Sequence, residues 1–444
     1  MKAPEQILQK AAAVLRQPAP VLDPHELRAY VLAFISQADG FLALAGRYGS
    51  PLYLLDETTL RRRALEFTSA FGNFLPQFQA YFAVKSNNHP DVAASLVNCG
   101  LGLDVSSGRE LELALRCDCR DIIFSGPGKT DAELGLAAAH NAAVTVLIDS
   151  FGELERLEQA ARRQNCCVNG GVRLTTDERG LWRKFGIPLA ALEKFMQAAR
   201  QCPHINLHGL QFHTSWNLDP GPQTAFIVRL GETLRHLPQP YRSAITFVDI
   251  GGGYWPSRGE WLQPAGTASG RLHLAVAAEN HLPAEHYRLA AKPIEIFAEE
   301  IAAALSAHLF PLASCSIKAE PGRWLCDDAM HLLLTVVDKK ADDLVITDGG
   351  IHMVGWERFE IDYAPVINLS RPSATERPGF ILGSLCTPHD VWGYGYFGEG
   401  IEPGDILLIP GQGAYTYSLR QEFIKPPAQT VKYASQLGPT HLEI

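Results

Sequence analysis

Short runs of apolar and β-branched residues alternate with longer amphipathic segments through the middle of the chain. Eight such runs lie at 78–85, 101–108, 121–126, 142–150, 169–176, 205–215, 243–253 and 315–325. Segments with helical periodicity, such as 131–140 and 151–164, lie between them. Eight strand and helix units predict a parallel (β/α)8 barrel, and a doubly wound parallel sheet is the structural alternative.

The pattern changes after the eighth run. Apolar runs now follow each other closely, without comparable helices between them, at 329–337, 342–350, 378–386 and 404–411. This spacing predicts a C-terminal β-domain over 326–444. We assign 1–48 to a helical N-terminal extension and 49–325 to the barrel domain, whose first strand at 49–60 is expected to join the β-domain. Residues 256–292, rich in Gly, Pro, His and Ala, are expected to be an insertion after the seventh barrel strand.

Composition narrows the function without identifying it. The chain has 444 residues, 46% of them apolar, and a net charge of −9 without long runs of like charge. No nucleic-acid or anionic-membrane partner is therefore expected. No apolar stretch approaches the roughly 18 residues of a membrane span, so we expect a cytoplasmic protein. The nine cysteines show neither a disulfide framework nor metal-ligand spacing, which predicts reduced thiols and no metal site.

Polar residues at the ends of the predicted strands are the candidates for chemistry, because barrels carry their reactive groups there. Lys85, His213, the glycines 251–253, and Glu320 with Arg323 all occupy such positions. Each alone has an ordinary structural interpretation: a solvated lysine, a packed histidine, a tight turn and an ion pair. Together they match a cofactor with an aldehyde, an aromatic ring with a basic nitrogen, and a phosphate.

The segment Tyr81–Asn87, Tyr-Phe-Ala-Val-Lys-Ser-Asn, resembles the Tyr-Ala-Val-Lys-x-Asn motif of fold-type III pyridoxal-phosphate decarboxylases, which include diaminopimelate, ornithine and arginine decarboxylases. Further matches follow in family order at 103–110, Arg173, 184–186, 209–213, 249–253, 320–323, 383–390 and 413–415. The resemblance covers roughly residues 50 to 420 and implies an alanine-racemase-like barrel with a C-terminal β-domain.

The resemblance implies a role for each matching residue. Lys85 forms the internal aldimine with pyridoxal 5′-phosphate, and decarboxylation proceeds through an external aldimine and a quinonoid. His213 stacks on the pyridine ring, and Glu320 pairs with the ring nitrogen. The phosphate is held by Gly251, Gly252, Gly253, Arg323 and Tyr415. The remaining cofactor-binding residues are Asp104, Arg173 and Ser215.

The resemblance also implies a homodimer with shared active sites. Cys386 matches the cysteine that the neighbouring subunit contributes to catalysis. In the diamine-handling relatives an Asp or Glu follows this cysteine and binds the distal amine, whereas here Thr387 follows it. A distal ammonium would lose about 1.5–3 kcal/mol of stabilisation unless Asp390 or Asp348 reaches it. We therefore treat Asp348, Thr387 and Asp390 as the candidate substrate-binding residues.

Two other departures concern substrate and phosphate. The segment after Asp348 lacks the Arg-Pro-x-x-Tyr pattern that helps diaminopimelate decarboxylases to bind substrate carboxylates. Where relatives have His-x-Gly-Ser, Ser215 is shifted by one position and Trp216 adds bulk. We thus expect an amino-acid decarboxylase that does not use standard diaminopimelate, with a modified or carrier-bound substrate as one option.

Two other functions on the same barrel are alternatives. An amino-acid racemase or epimerase would need proton transfer on both faces of Cα, and racemases lack the motif from Cys386 to Asp390. A non-catalytic pyridoxal-phosphate-binding homologue is the second alternative. Retention of Lys85, Glu320, Arg323 and Cys386 argues against it.

Overall fold

The computed structural model describes residues 4–17, 19–276, 285–355 and 361–434. It divides into two compact units. The barrel unit comprises residues 60–256 and 292–326, and the sheet unit comprises the described parts of 1–59, 257–291 and 327–444.

The barrel unit is a closed parallel barrel, which confirms the predicted fold. Its strands follow the order β11-β2-β3-β4-β5-β6-β7-β8. Their bounds are β2 Phe78–Ala83, β3 Gly102–Val105, β4 Ile122–Phe124, β5 Val144–Ile148, β6 Val168–Leu174, β7 Ile205–Phe212, β8 Phe247–Asp249 and β11 Ser316–Ala319. Each predicted run overlaps one of these strands, and β6 begins one residue before its run.

Helices follow the barrel strands in the expected alternation. They are α4 Glu57–Gly72, α5 Pro90–Asn98, α6 Gly108–Arg116, α7 Asp131–Ala139, α8 Phe151–Arg163, α9 Leu192–Ala199, α10 Gly221–His236, α11 Gln239–Arg242, α13 Ile294–His308 and α14 Arg323–Cys326. Side-chain caps define where several begin: Ser107 and Ser150 each accept a backbone N–H of the first turn, and Thr130 forms a capping box with Glu133. Such caps satisfy amides that have no partner inside the helix.

The interior of the barrel is closed by large side chains matched to glycines. Tyr81, Ile123, Leu147 and Phe247 form a buried cluster. Gly209 on β7 is required there, because a Cβ atom at this position would overlap the Phe247 ring. Close packing of this kind fixes which side chains of neighbouring strands share the interior.

The sheet unit contains an eight-stranded sheet in the order β13-β15-β16-β14-β17-β12-β1-β18. Its strands are β1 Leu52–Asp56, β12 Met330–Ala341, β13 Leu344–Thr347, β14 Ile367–Asn368, β15 Glu376–Leu382, β16 Val391–Phe397, β17 Ile406–Ile409 and β18 Gln429–Tyr433. Thus β1, from the segment 49–60, pairs with β12 and β18.

The N-terminal helices are α1 Pro4–Arg16, α2 Pro24–Ile35 and α3 Ala38–Tyr48. Side chains of α2 and α3, including Phe34 and Phe41, are buried in one core cluster with Leu52 and Leu408 of the sheet. No single described helix is long and apolar enough to cross a membrane. Helices α2 and α3 reach that length and apolar content only when taken together, and they are bent by 51° relative to each other.

The segment 257–291 differs from our expectation, because its described part belongs to the sheet unit and not to the barrel domain. It contains β9 Glu260–Leu262, β10 Tyr287–Leu289 and α12 Ala268–Val276. Tyr287 pairs with Val21, and the guanidinium of Arg288 contacts the Glu26 carboxylate. These contacts join distant parts of the sequence, so the local pattern gave no signal of them.

Candidate active site

Lys85 lies in a 3-10 turn, Val84–Ser86, directly after strand β2. Its Nζ lies 2.8 Å from Oδ2 of Asp104, which is fully buried on β3. Burial and nearby Glu320 raise the pKa of Asp104, and the ion pair with Lys85 opposes them. Ser125 donates a hydrogen bond to the other carboxylate oxygen. The Lys85 amino group is thus held at one position while its side chain keeps 34% exposure.

His213 follows β7 and contacts two other site residues. The backbone N–H of Gly252 donates to its Nδ1 at 3.1 Å. Nε2 is 3.5 Å from Oγ of Ser215, and Nδ1 is 3.5 Å from a carboxylate oxygen of Glu320. Burial lowers the pKa of His213, with Glu320 opposing the shift. Burial therefore favours the uncharged form of this ring.

Glu320 is a buried carboxylate at the end of β11, with 1% exposure. Burial alone would raise its pKa, but the contact with His213 and the positive charges of Lys85 and Arg173 outweigh burial and lower the pKa to about 2. Gln211 on β7 donates a hydrogen bond to Glu320 Oε1 at 3.1 Å. Glu320 is therefore an anion that can hold a proton on a basic ring nitrogen.

Gly251, Gly252 and Gly253 follow β8 and form a turn that other residues could not adopt. Gly251 and Gly253 have φ values of +68° and +88°. A Cβ on Gly252 would overlap the Glu320 carbonyl oxygen and lie 3.4 Å from the His213 ring. Asn217 fixes the turn, since its side-chain amide donates to Gly252 O at 3.0 Å. Such a turn lets backbone N–H groups approach an anion closely.

Two arginines belong to the same unit. Arg173 on β6 is buried, and its guanidinium lies 4.9 Å from the centre of the Phe185 ring. Its Nε has no hydrogen-bond partner among the described residues. Gly186, next to Phe185, donates its N–H to Asp149 at 3.0 Å, which fixes this loop. Arg323 begins α14 and lies 4.1 Å from the Trp255 ring centre.

The other predicted site residues lie in the sheet unit. Cys386 is exposed and Thr387 is half-buried in the loop between β15 and β16. Asp390 is buried, and its two carboxylate oxygens accept the backbone N–H groups of Ile351 and Leu385, both at 2.6 Å. Asp390 therefore fixes this loop.

Asp348 and Tyr415 have constrained surroundings in the sheet unit. Asp348 accepts the Thr335 N–H at 2.9 Å through one oxygen and contacts the Ser50 hydroxyl through the other. Tyr415 has a positive φ of 56°, uncommon for a non-glycine residue and typical of functional turns.

The barrel-unit residues fit pyridoxal phosphate by their chemistry. An amine suited to an aldehyde, an anion for a ring nitrogen, an unpartnered guanidinium nitrogen and a glycine turn for a phosphate are present in the described chain. No group of three His, Cys, Asp or Glu side chains in the part of the chain that the structure describes is arranged to hold a metal. The nine cysteines all lie within the described ranges, and none of them forms a disulfide there.

Residues 57–327 match the model of the pyridoxal-dependent decarboxylases, described as their pyridoxal-binding domain. The chain belongs to this family. It is a pyridoxal-phosphate-dependent carboxy-lyase, as the resemblance implied. Of the functions left open by the sequence, the match supports the decarboxylase over the racemase and the non-catalytic homologue.

Named relatives extend this likeness over most of the chain. L-glutamyl-(BtrI acyl-carrier protein) decarboxylase of Niallia circulans is 26% identical over 403 residues, which cover 85% of this chain and 86% of the relative. Diaminopimelate decarboxylase of Bacillus subtilis is 25% identical over 426 residues, with 91% and 90% covered.

Solved structures support the fold. A diaminopimelate decarboxylase from M. jannaschii has a TM-score of 0.74 at 20% identity, covering 90% of this chain and 95% of that one. The lysine/ornithine decarboxylase of Vibrio vulnificus, solved with putrescine, has a TM-score of 0.70 at 23% identity, covering 90% and 98%.

Sequence reasoning missed two polar groups beside the site. Gln211 stands two residues before His213, so strand periodicity places both on one face, and a polar residue within an apolar strand was the available signal. Lys129 and Glu153 form a buried ion pair at 2.8 Å. The sequence next to Lys129 and Glu153 contains helix-capping residues, and these were the only local signal near the pair.

Proposed function

We propose that this decarboxylase acts on an amino acid whose side chain carries no free distal ammonium group, with carrier-bound glutamate as the leading candidate. The observation that carries the proposal is Thr387, which stands where diamine-handling relatives have an acidic residue. A hydroxyl cannot neutralise an ammonium group, so the charge-assisted contact that selects a diamine is absent at this described position.

The two acidic residues nearby in sequence are both held by hydrogen bonds within the sheet unit. Asp390 is buried with both oxygens accepting backbone N–H groups. Asp348 accepts a backbone N–H with one oxygen and contacts a hydroxyl with the other. Turning either carboxylate away from its present partners and toward a substrate would break these hydrogen bonds, at a cost of about 1–3 kcal/mol for each amide left without a partner.

The relatives are compatible with either type of substrate. The Niallia circulans enzyme is named for a glutamyl group on an acyl-carrier protein, and its identity to this chain is similar to that of a diaminopimelate decarboxylase. Overall identity therefore does not choose the substrate. Thr387 in the Cys386 loop supports a substrate without a distal amine.

We assign the following roles in the reaction to residues of the barrel unit. Pyridoxal phosphate, when bound, supplies an aldehyde for the substrate amine and a ring that accepts the electron pair left on loss of the carboxylate. Lys85 would bind the aldehyde and, once displaced, move a proton near Cα. Glu320 would hold the proton on the ring nitrogen, and the turn at 251–253 would bind the phosphate. His213 would cover one face of the ring.

We further propose that the enzyme is a cytoplasmic homodimer in which Cys386 serves the partner's site. Its exposure in the single chain supports this role. Mixing inactive Lys85→Ala with inactive Cys386→Ala should restore activity if sites are shared. Random reassortment leaves one intact site in each mixed dimer, so about a quarter of wild-type activity is expected. Mixtures that stay inactive, although mass measurements show exchanged dimers, would contradict shared sites.

The substrate proposal is tested by product mass spectrometry on the cofactor-loaded enzyme. The substrates are glutamate loaded on an acyl-carrier protein, free L- and D-glutamate, lysine, ornithine and diaminopimelate. We expect loss of carbon dioxide from the carrier-bound substrate and little product from the diamino acids. Thr387→Asp should raise activity on diamino acids, and Thr387→Asn, similar in size but uncharged, should not. Efficient turnover of a diamino acid by the wild type would refute the proposal.

A further inference from the structure

A row of buried polar side chains lies beneath Glu320 inside the barrel. Gln211 on β7 is fully buried, and its Nε2 donates to Glu320 Oε1 at 3.1 Å. The other end of the same amide, Oε1, is buried and accepts no hydrogen bond from the described residues. Gln211 therefore has a defined partner on one side and an unsatisfied acceptor on the other.

Asp249 on β8 also has a buried oxygen without a hydrogen-bond partner among the described residues. It is fully buried and lies in register with Gln211 on the neighbouring strand. Its Oδ1 accepts the Gly251 N–H at 2.8 Å, while its Oδ2 is buried without a partner in the described chain. Register partners in a parallel pair project to the same side, and strands lie about 4.8 Å apart. Gln211 Oε1 and Asp249 Oδ2 are thus two buried acceptor oxygens on register partners of adjacent strands, and each lacks a donor among the described residues.

The charges around Asp249 favour a proton on this carboxyl group. Burial raises its pKa well above the ordinary value, and the negative charges of Glu320 and Asp104 add to this effect. The Gly251 N–H and the Lys318 ammonium oppose it. Lys318 Nζ lies over the rings of Tyr81 and Phe247. Two buried carboxyl groups whose charges repel each other are most stable when only one of them is ionised.

We propose that Asp249 carries a proton, donates it in a hydrogen bond from Oδ2 to Gln211 Oε1, and so orients the Gln211 amide toward Glu320. Gln211 and Asp249 are then positioning residues for the carboxylate that pairs with the cofactor's ring nitrogen. The reverse orientation of the amide would place its oxygen against the Glu320 carboxylate. The proton on Asp249 excludes that orientation and leaves Glu320 Oε2 available for the ring.

The inference rests on pyridoxal-phosphate binding and is independent of the substrate, so its tests use no substrate. The first compares Asp249→Asn with Asp249→Ala. Asparagine keeps an acceptor for Gly251 and presents an N–H donor to Gln211, as the protonated acid does, whereas alanine removes both. Readouts are the Kd for pyridoxal phosphate of the cofactor-free protein and the pH midpoint of the visible band of the bound cofactor.

We expect Asp249→Ala to weaken cofactor binding about tenfold, equivalent to about 1.4 kcal/mol, and to shift the pH midpoint of the visible band. Asp249→Asn should stay within about twofold of the wild type, because an amide of the same shape restores the hydrogen bond. If Asp249→Asn is as damaging as Asp249→Ala, a negative charge on Asp249 matters, and the proposal is wrong.

Gln211→Met provides a second route that leaves Asp249 in place, in case Asp249→Ala does not fold. Methionine has a similar shape and no amide, so it should shift the same pH midpoint. Difference infrared spectroscopy tests the proton directly. At neutral pH the wild type should show a carboxylic-acid carbonyl band that Asp249→Asn lacks. Absence of that difference, or an unmoved pH midpoint in Gln211→Met, would overturn the proposal.

Discussion

The buried pair of Lys129 and Glu153 provides a quantitative test of how the rim of the barrel is stabilised. Lys129 Nζ donates to Gly126 O at 2.7 Å, Leu147 O at 2.8 Å and Glu153 Oε1 at 2.8 Å. Both side chains have 1% exposure. Burial lowers the pKa of Lys129, with Glu153 opposing this shift. The pair therefore links the loop after β4 with the end of β5 and with helix α8.

Lys129→Met should destabilise the barrel unit strongly, because it leaves the Glu153 carboxylate buried without its counter-ion and two carbonyls without a donor. Breaking a buried pair in this way costs about 3–5 kcal/mol. For a domain of this size each kcal/mol lowers Tm by about 2–4 °C, so a fall of about 6–20 °C is expected. Glu153→Gln should cost less, since Lys129 keeps both carbonyl partners and the amide oxygen of the new side chain can still accept a hydrogen bond.

The double variant tests whether Lys129 and Glu153 act as a coupled charge pair or as independent contacts. In the Lys129→Met background, Glu153→Gln removes the stranded charge and should raise Tm, although the same change lowers Tm in the wild type. Thermal unfolding of the four proteins, followed by circular dichroism in the absence of cofactor, measures this change of sign. Additive losses in the double variant would refute the reasoning, because independent contacts add and a coupled charge pair does not.

Three further predictions concern the site. Gly252→Ala should weaken pyridoxal-phosphate binding at least about tenfold, because its Cβ would overlap the Glu320 carbonyl oxygen; Gly152→Ala in α8, where a Cβ meets nothing within 4 Å, is the matched control. Because the pKa of Glu320 is lowered to about 2, the stability from its ionised form is present above its ordinary pKa of 4.5 and is lost as pH falls toward 2. Between about pH 6 and pH 3 the cofactor-free wild type should therefore lose more Tm than Glu320→Gln, and equal losses would contradict this assignment. Asp390→Asn leaves either Ile351 or Leu385 without its acceptor, so kcat should fall while the Kd for pyridoxal phosphate stays unchanged; a weakened Kd would argue against a role confined to the Cys386 loop.

The sequence predicted the barrel well because local patterns determine it. Each barrel strand is a short apolar run, and the polar residues that end those runs are Lys85, His213 and Glu320. Parallel strands bring such ends together at one rim, so the barrel part of the site followed from strand order. The family motifs then supplied the cofactor.

Long-range contacts were outside the reach of the same reasoning. The segment 257–291 joins the sheet unit through pairs such as Val21 with Tyr287 and Glu26 with Arg288, which are far apart along the chain. The hydrogen bond of Gln211 to Glu320 also depends on register between strands. The role of Asp390 depends on two backbone N–H groups, and the pattern of side chains along the sequence does not predict such partners.

The pairing of β1 with β18 has a consequence for biosynthesis. Residues 52–56 emerge from the ribosome early, and their partners at 429–433 are among the last described residues to be made. The barrel's final strand, at 316–319, is complete well before that point. With translation at about 5–20 residues per second, about 20–75 seconds pass between synthesis of β1 and synthesis of β18, and during that time this edge of β1 lacks its partner. Versions of the chain truncated before residue 429 should therefore keep this edge of β1 open to pairing with other chains.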